Sequence, residues 1–67
     1  MKTREIAKYM QYAKVQVLCT DGYFDEHRIS GQIIDTGVAD ISGWSTVVKT
    51  KSGYFTIPNK AIREIFV

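Results

Sequence analysis

Residues 53–67 constrain this chain more than any other stretch. Gly53-Tyr54-Phe55-Thr56-Ile57 reads as a short strand that has to stop at Pro58. The proline ring fixes φ and removes a backbone donor, so a hydrogen-bonded ladder cannot continue through it. Proline is also favoured as the first residue of a helical turn. Asn59, Lys60 and Ala61 supply that turn, and Ile62 and Ile65 then return apolar side chains to a core. A strand, one helical turn and a closing strand are how small curled barrels finish.

Size limits what the rest can be. Sixty-seven residues make one domain, spanning 1–67. A domain this small buries only about 60 % of its unfolded surface and is marginal alone. Chains of this size gain stability from disulfides, a metal or self-association. Cys19 is the only cysteine and His27 the only histidine, so an internal disulfide is excluded and a four-ligand zinc site is not expected. Self-association remains. Nine basic residues stand against seven acidic ones, a mild excess that permits nucleic acid without demanding it. No apolar run approaches the roughly 18 residues of a membrane span, and residues 1–5 lead into no apolar stretch of the signal-peptide kind. With a lone cysteine, this predicts a cytoplasmic protein without membrane partners.

Along the chain, residues 3–13 read as a short helix with Ile6, Tyr9 or Met10, and Ala13 on one stripe and Thr3 as N-cap. Val15, Val17 and Cys19 alternate with Gln16, Leu18 and Thr20, the period of a strand. Asp21-Gly22 is a hairpin signal. The charged run Asp25-Glu26-His27-Arg28 reads as a solvated bulge or loop, and alternation resumes at Ile29, Gly31 and Ile33. Gly31 inside a strand marks a sharp bend or a close backbone approach. Asp35-Thr36-Gly37 and Ser42-Gly43 read as turns, with Val38 and Ile41 tucked onto the core between them. Trp44 opens a third strand centred on Val47 and Val48, and its expected place is capping the core. The expected fold is mostly β, with a helix over about 3–13 and a five-stranded, strongly bent antiparallel barrel over about 14–67.

That order of parts resembles the Sm-like superfamily of small SH3-like barrels, with the closest layout in the bacterial RNA chaperone Hfq. Val15-Gln16-Val17-Leu18-Cys19-Thr20-Asp21-Gly22 is similar to that family's first strand and turn. Ile29-Ser30-Gly31-Gln32-Ile33 resembles its second strand, and Asn59-Lys60-Ala61-Ile62-Arg63 falls where the family has Lys-His-Ala-Ile-Ser. Pro58 and Lys60 stand in place of the family's aromatic and histidine, and residues 25–28 look like an insertion. The resemblance implies a ring-forming RNA binder, with Asn59 and Lys60 at the RNA-facing mouth. It also implies subunits joined by pairing the fourth strand of one copy with the fifth of the next. Tyr54, Thr56, Ile62, Glu64, Ile65 and Phe66 would then form the oligomer interface.

No constellation for catalysis stands out: there is no Gly-rich phosphate loop, no paired zinc ligands and no Ser-His-Asp set. The chain is expected to be no enzyme and to need no cofactor. Cys19 falls on the core face, where it acts as a small hydrophobe, and His27 on an exposed loop. The functional candidates are basic. They are Lys49, Lys51, Lys60 and Arg63: Lys49 and Lys51 share a face of the third strand, Lys60 sits in the turn, and with Asn59 they outline a rim where single-stranded nucleic acid stacks on Tyr54 or Tyr23. Lysines also serve edge strands by blocking unwanted pairing. The leading expectation is an oligomeric regulator that binds single-stranded RNA or other nucleic acid. The alternatives are a protein-interaction module docking on a host factor and an oligomer that captures a small nucleotide.

Overall fold

The alternation seen in the sequence becomes five strands in the computed structural model, which describes residues 1–20, 25–41 and 43–67. Helix α1 (Thr3–Ala7) tightens into a 3-10 turn (Lys8–Gln11). Strands β1 (Val15–Thr20), β2 (Glu26–Asp40), β3 (Gly43–Thr50) and β4 (Gly53–Pro58) follow, then a second 3-10 turn (Asn59–Ala61) and β5 (Ile62–Phe66). All neighbouring strands are antiparallel, in the order β4-β3-β2-β1-β5. The end strands β4 and β5 are not hydrogen-bonded to each other, so the sheet is strongly bent but not closed. The Asp21-Gly22 turn, Tyr23, Phe24 and Ser42 lie outside the described residues.

Strand β2 holds the sheet together because it serves two partners in succession. Its first part pairs with β1, ending at Val15↔Gly31, and its second part pairs with β3, beginning at Gln32↔Lys49. The changeover is the bend expected at Gly31. A Cβ placed there would come 2.2 Å from the Lys49 carbonyl oxygen, so only glycine lets the two backbones approach.

Two stretches read as loop and turn belong instead to this strand. Glu26, His27 and Arg28 pair with Thr20, Cys19 and Leu18. All three are exposed, although they alternate between faces and His27 lies opposite the buried Cys19, and backbone pairing is indifferent to the charge of a solvated side chain. Residues 35–37 also stay in β2. Register shifts between Ile33 and Asp35 and between Thr36 and Val38 absorb the turn chemistry as bulges, with Gly37 at φ 76°. Asp35 Oδ1 still accepts a bond from the Thr36 amide at 2.9 Å, the local contact that made the triplet resemble a turn.

The core consists of Ile6, Val15, Val17, Cys19, Ile33, Val48, Ile57, Ile62 and Ile65, with Met1, Tyr9, Met10, Ile29 and Ala61 packed against it. Val15, Val17 and Cys19 face inward as their period requires. The helix is shorter than expected, and Ala13 is exposed beyond it. Its N-cap is Lys2, with no side-chain capping bond, and a helix of this length has little stability of its own. It is held by burial of Ile6, a side chain whose transfer contributes about 1.5–3 kcal/mol. Trp44 does not cap the core: it is 61 % exposed, opposite Ala39 near the end of the β2–β3 hairpin. Among the described residues no helix is long and apolar enough to cross a membrane.

Since Gly31 sits against backbone rather than a movable side chain, Gly31→Ala should destabilise the fold by at least about 1–3 kcal/mol. In a domain of this size that lowers Tm by about 4–8 °C per kcal/mol, measurable by thermal circular dichroism. An unchanged Tm would mean the bend does not need the close approach.

Candidate functional site

The basic residues singled out in the sequence do not form one patch. Lys49 and Lys51 lie at the β3–β4 turn, where Thr50 pairs with Gly53. Asn59 and Lys60 follow Pro58, which pairs with Ser45 at the other end of the same hairpin. Five residue steps of about 3.3 Å along β4 put roughly 16 Å between the two groups.

Asn59 is committed to the fold. It is 5 % exposed and its amide is engaged on both sides. Thr46 Oγ1 donates to Asn59 Oδ1, and Asn59 Nδ2 donates to Thr3 Oγ1 at 2.8 Å. A hydroxyl carries one proton, so Thr46, having given its own to Asn59, accepts from Thr36 Oγ1 across 2.8 Å. This chain of four side chains links β2, β3, the 3-10 turn and the start of α1. Thr3 also touches Gly37: a Cβ on that glycine would come 3.0 Å from Thr3 Cγ2. The Met1 amino group donates to the Asn59 and Ile62 carbonyls at 2.7 and 3.2 Å. Thr3, expected as an N-cap, is an anchor of the helix instead. Lys60 is exposed on this turn, apart from the other lysines.

The other end of the hairpin is different. A recess of about 560 Å³ is lined by Ala13, Lys14, Ser30, Gly31, Gln32, Lys49, Thr50, Lys51 and Ser52. Its lining includes three lysines, three hydroxyl side chains and the Gln32 amide, and among the described residues lining it there is no carboxylate. The bend at Gly31 creates it, by turning β2 from β1 to β3 so that the residue before Val15 lies beside Lys49. Tyr54, 65 % exposed, pairs with Lys49, which in turn pairs with Gln32. Directly opposed residues in a sheet share a face, so Tyr54, Lys49 and Gln32 form one outward row. Cationic groups, hydroxyl donors and an adjacent exposed ring suit a phosphate backbone whose bases are unpaired.

Lys14 was not among the sequence candidates. It stands between helix and strand, and its partners become evident only through the register Val15↔Gly31 and Gln32↔Lys49. The residues expected at an oligomer interface divide as well. Tyr54, Thr56 and Glu64 are exposed on the outer strands, whereas Ile62 and Ile65 are buried in the chain's own core. Phe66 is 37 % exposed, and its ring lies 5.7 Å from the guanidinium carbon of Arg28, a β2 side chain that also bonds Gln16 of β1, so the ring already has a partner within the chain. Cys19 is buried and its Sγ lies 3.7 Å from the His27 carbonyl. Among the described residues no group of three His, Cys, Asp or Glu comes together.

Compared with known proteins, the chain matches no family model, no curated protein and no solved structure.

Replacing Asn59 by Ala strands Thr46 and Thr3 hydroxyls, and loss of a buried partner costs about 1–3 kcal/mol. Asn59→Ala should therefore lower Tm while leaving the affinity of the folded protein for an anionic ligand unchanged. A variant with wild-type Tm and lost affinity would move Asn59 into the binding site.

Proposed function

We propose that this chain is a non-enzymatic, self-assembling regulator of the Sm-like kind that binds single-stranded nucleic acid, RNA foremost. The observation that carries this reading is the recess in which Lys14, Lys49 and Lys51 converge with no carboxylate among the described lining residues. Like charges from the β3–β4 turn and from the residue before β1 repel one another, and a polyanion that neutralises them turns that repulsion into binding. The hydroxyl and amide groups between them satisfy phosphate and sugar oxygens, and Tyr54 beside Lys49 offers a stacking face to a base. Assembly is supported by the two outer strands. Both β4 and β5 have one unpaired backbone edge, and such edges pair readily with another strand. The antiparallel order with β4 and β5 outermost suits pairing the β4 of one copy with the β5 of the next.

One observation favours a second reading, a protein-interaction module. Trp44 and the fully exposed Ile41 sit together near the end of the β2–β3 hairpin, and tryptophan is a frequent anchor in protein interfaces. A stoichiometric protein partner that resists nuclease treatment, blue-shifts Trp44 emission and is lost in Trp44→Ala would establish that role.

For nucleic acid, fluorescence anisotropy with a labelled oligouridylate should give log K falling linearly with log salt. Lys49→Gln and Lys51→Gln should each weaken binding and flatten the slope by about 0.7, the share of one single-strand phosphate contact. Wild-type affinity and slope in the double variant, or no binding at low salt, would overturn the proposal.

A further inference from the structure

Phe66 belongs to a second recess, of about 360 Å³, lined by Lys14, Val15, Gln16, Ser30, Phe66 and Val67. Lys14 and Ser30 line both recesses, so the two join into one track. The register shows how the track crosses the sheet. Tyr54 pairs with Lys49 and Lys49 with Gln32. Two residues back along β2, on the same face, Ser30 pairs with Gln16 and Gln16 with Phe66. One outward stripe thus spans all five strands, with polar and cationic side chains in the middle and an aromatic ring at each end. Four inter-strand gaps of about 4.8 Å and the two-residue step along β2 put the two rings roughly 26 Å apart along the stripe.

The Phe66 end adds a ring face to the cationic track. The Arg28 guanidinium stands over Phe66 at 5.7 Å, and its Nη1 donates to Gln16 Oε1 at 3.1 Å. This contact holds the cation over the ring and fixes the Gln16 amide with its oxygen turned toward Arg28. A partly exposed aromatic, a planar guanidinium and an amide edge at one point are the groups that stack on and hydrogen-bond to a nucleobase.

We propose that Phe66, braced by Arg28 and flanked by Gln16, is a nucleobase-stacking site at the far end of the lysine track. The preferred ligand is accordingly a strand with unpaired bases that runs from the Tyr54 side across Lys49 and Lys14 to Phe66. This inference rests on the nucleic-acid reading of the lysine recess and adds to it a requirement for bases, where the lysines alone require only phosphates. A duplex, whose bases are stacked on each other, cannot use the site.

The test compares a short labelled oligouridylate with an abasic ribose-phosphate strand of equal length and charge, by anisotropy at low salt. Wild-type protein should favour the oligouridylate. Phe66→Ala should reduce that preference by about 5- to 150-fold, the range for one base–aromatic stack, and leave abasic affinity unchanged. Phe66→Leu retains an apolar side chain and removes the ring, so it should lose the same preference with less risk to folding, and Phe66→Tyr should keep it. If Phe66→Leu folds and its preference for bases is undiminished, the inference is overturned, while lysine-dependent abasic binding still supports the recess. If neither strand binds wild-type protein, the nucleic-acid reading fails and the inference with it.

Discussion

Everything in this molecule depends on one backbone contact, the approach of Gly31 to the Lys49 carbonyl. Strand β2 can serve both β1 and β3 only if it bends between the two pairings, and it can bend against β3 only where no Cβ intervenes. The consequence for packing is a shared core. Val15 and Val17 of β1 meet Ile33 of β2 and Val48 of β3 over Ile6 of the helix. The consequence for chemistry is that Lys14 and Ser30 are carried to the side of Lys49 and Lys51. A straight β2 would leave Lys14 apart from Lys49 and Lys51. The element that makes a small core possible also makes the cationic recess.

A second constraint shapes where function can lie. So small a core leaves the helix weakly held, and a buried polar chain from Thr36 through Thr46 and Asn59 to Thr3 ties it down. No buried side-chain nitrogen or oxygen among the described residues lacks a partner, as is required where the local dielectric is low. The tie occupies Asn59 and removes the 3-10 turn's most promising polar group from the surface. The cationic residues at the opposite end of the hairpin carry no such structural duty. That division is why the proposed binding site moves from the turn after Pro58 to the turn before Gly53.

Much of the fold was legible in the sequence, because it is written in local signals. Alternation gave β1, Pro58 ended β4 before the closing turn, and Gly31 declared its bend. What was not legible depends on non-local pairing. Glu26 to Arg28 carry no apolar signal, since their side chains are solvated, yet their backbones have β1 to pair with. Asp35-Thr36-Gly37 has turn chemistry, but flanking pairs on β3 hold it in the ladder as bulges. Trp44 looked like a core residue on size alone, and its position beside the hairpin end leaves it outside. For the site, Lys49, Lys51 and Tyr54 were identifiable as charge and aromatic on one hairpin. Lys14 and the contact of Arg28 with Phe66 were not, because each acquires meaning only from the cross-strand register.

The proposed site for nucleic acid is the lysine recess and not the turn after Pro58. The most direct measurement is an amide chemical-shift titration of isotope-labelled protein with a short oligouridylate at low salt. The largest shifts should cluster at Lys14, Ser30, Gln32, Lys49, Lys51 and Ser52, with Asn59 and Lys60 unmoved. Shifts centred on residues 59–61 or on the 38–44 hairpin, or no shifts at all, would contradict it.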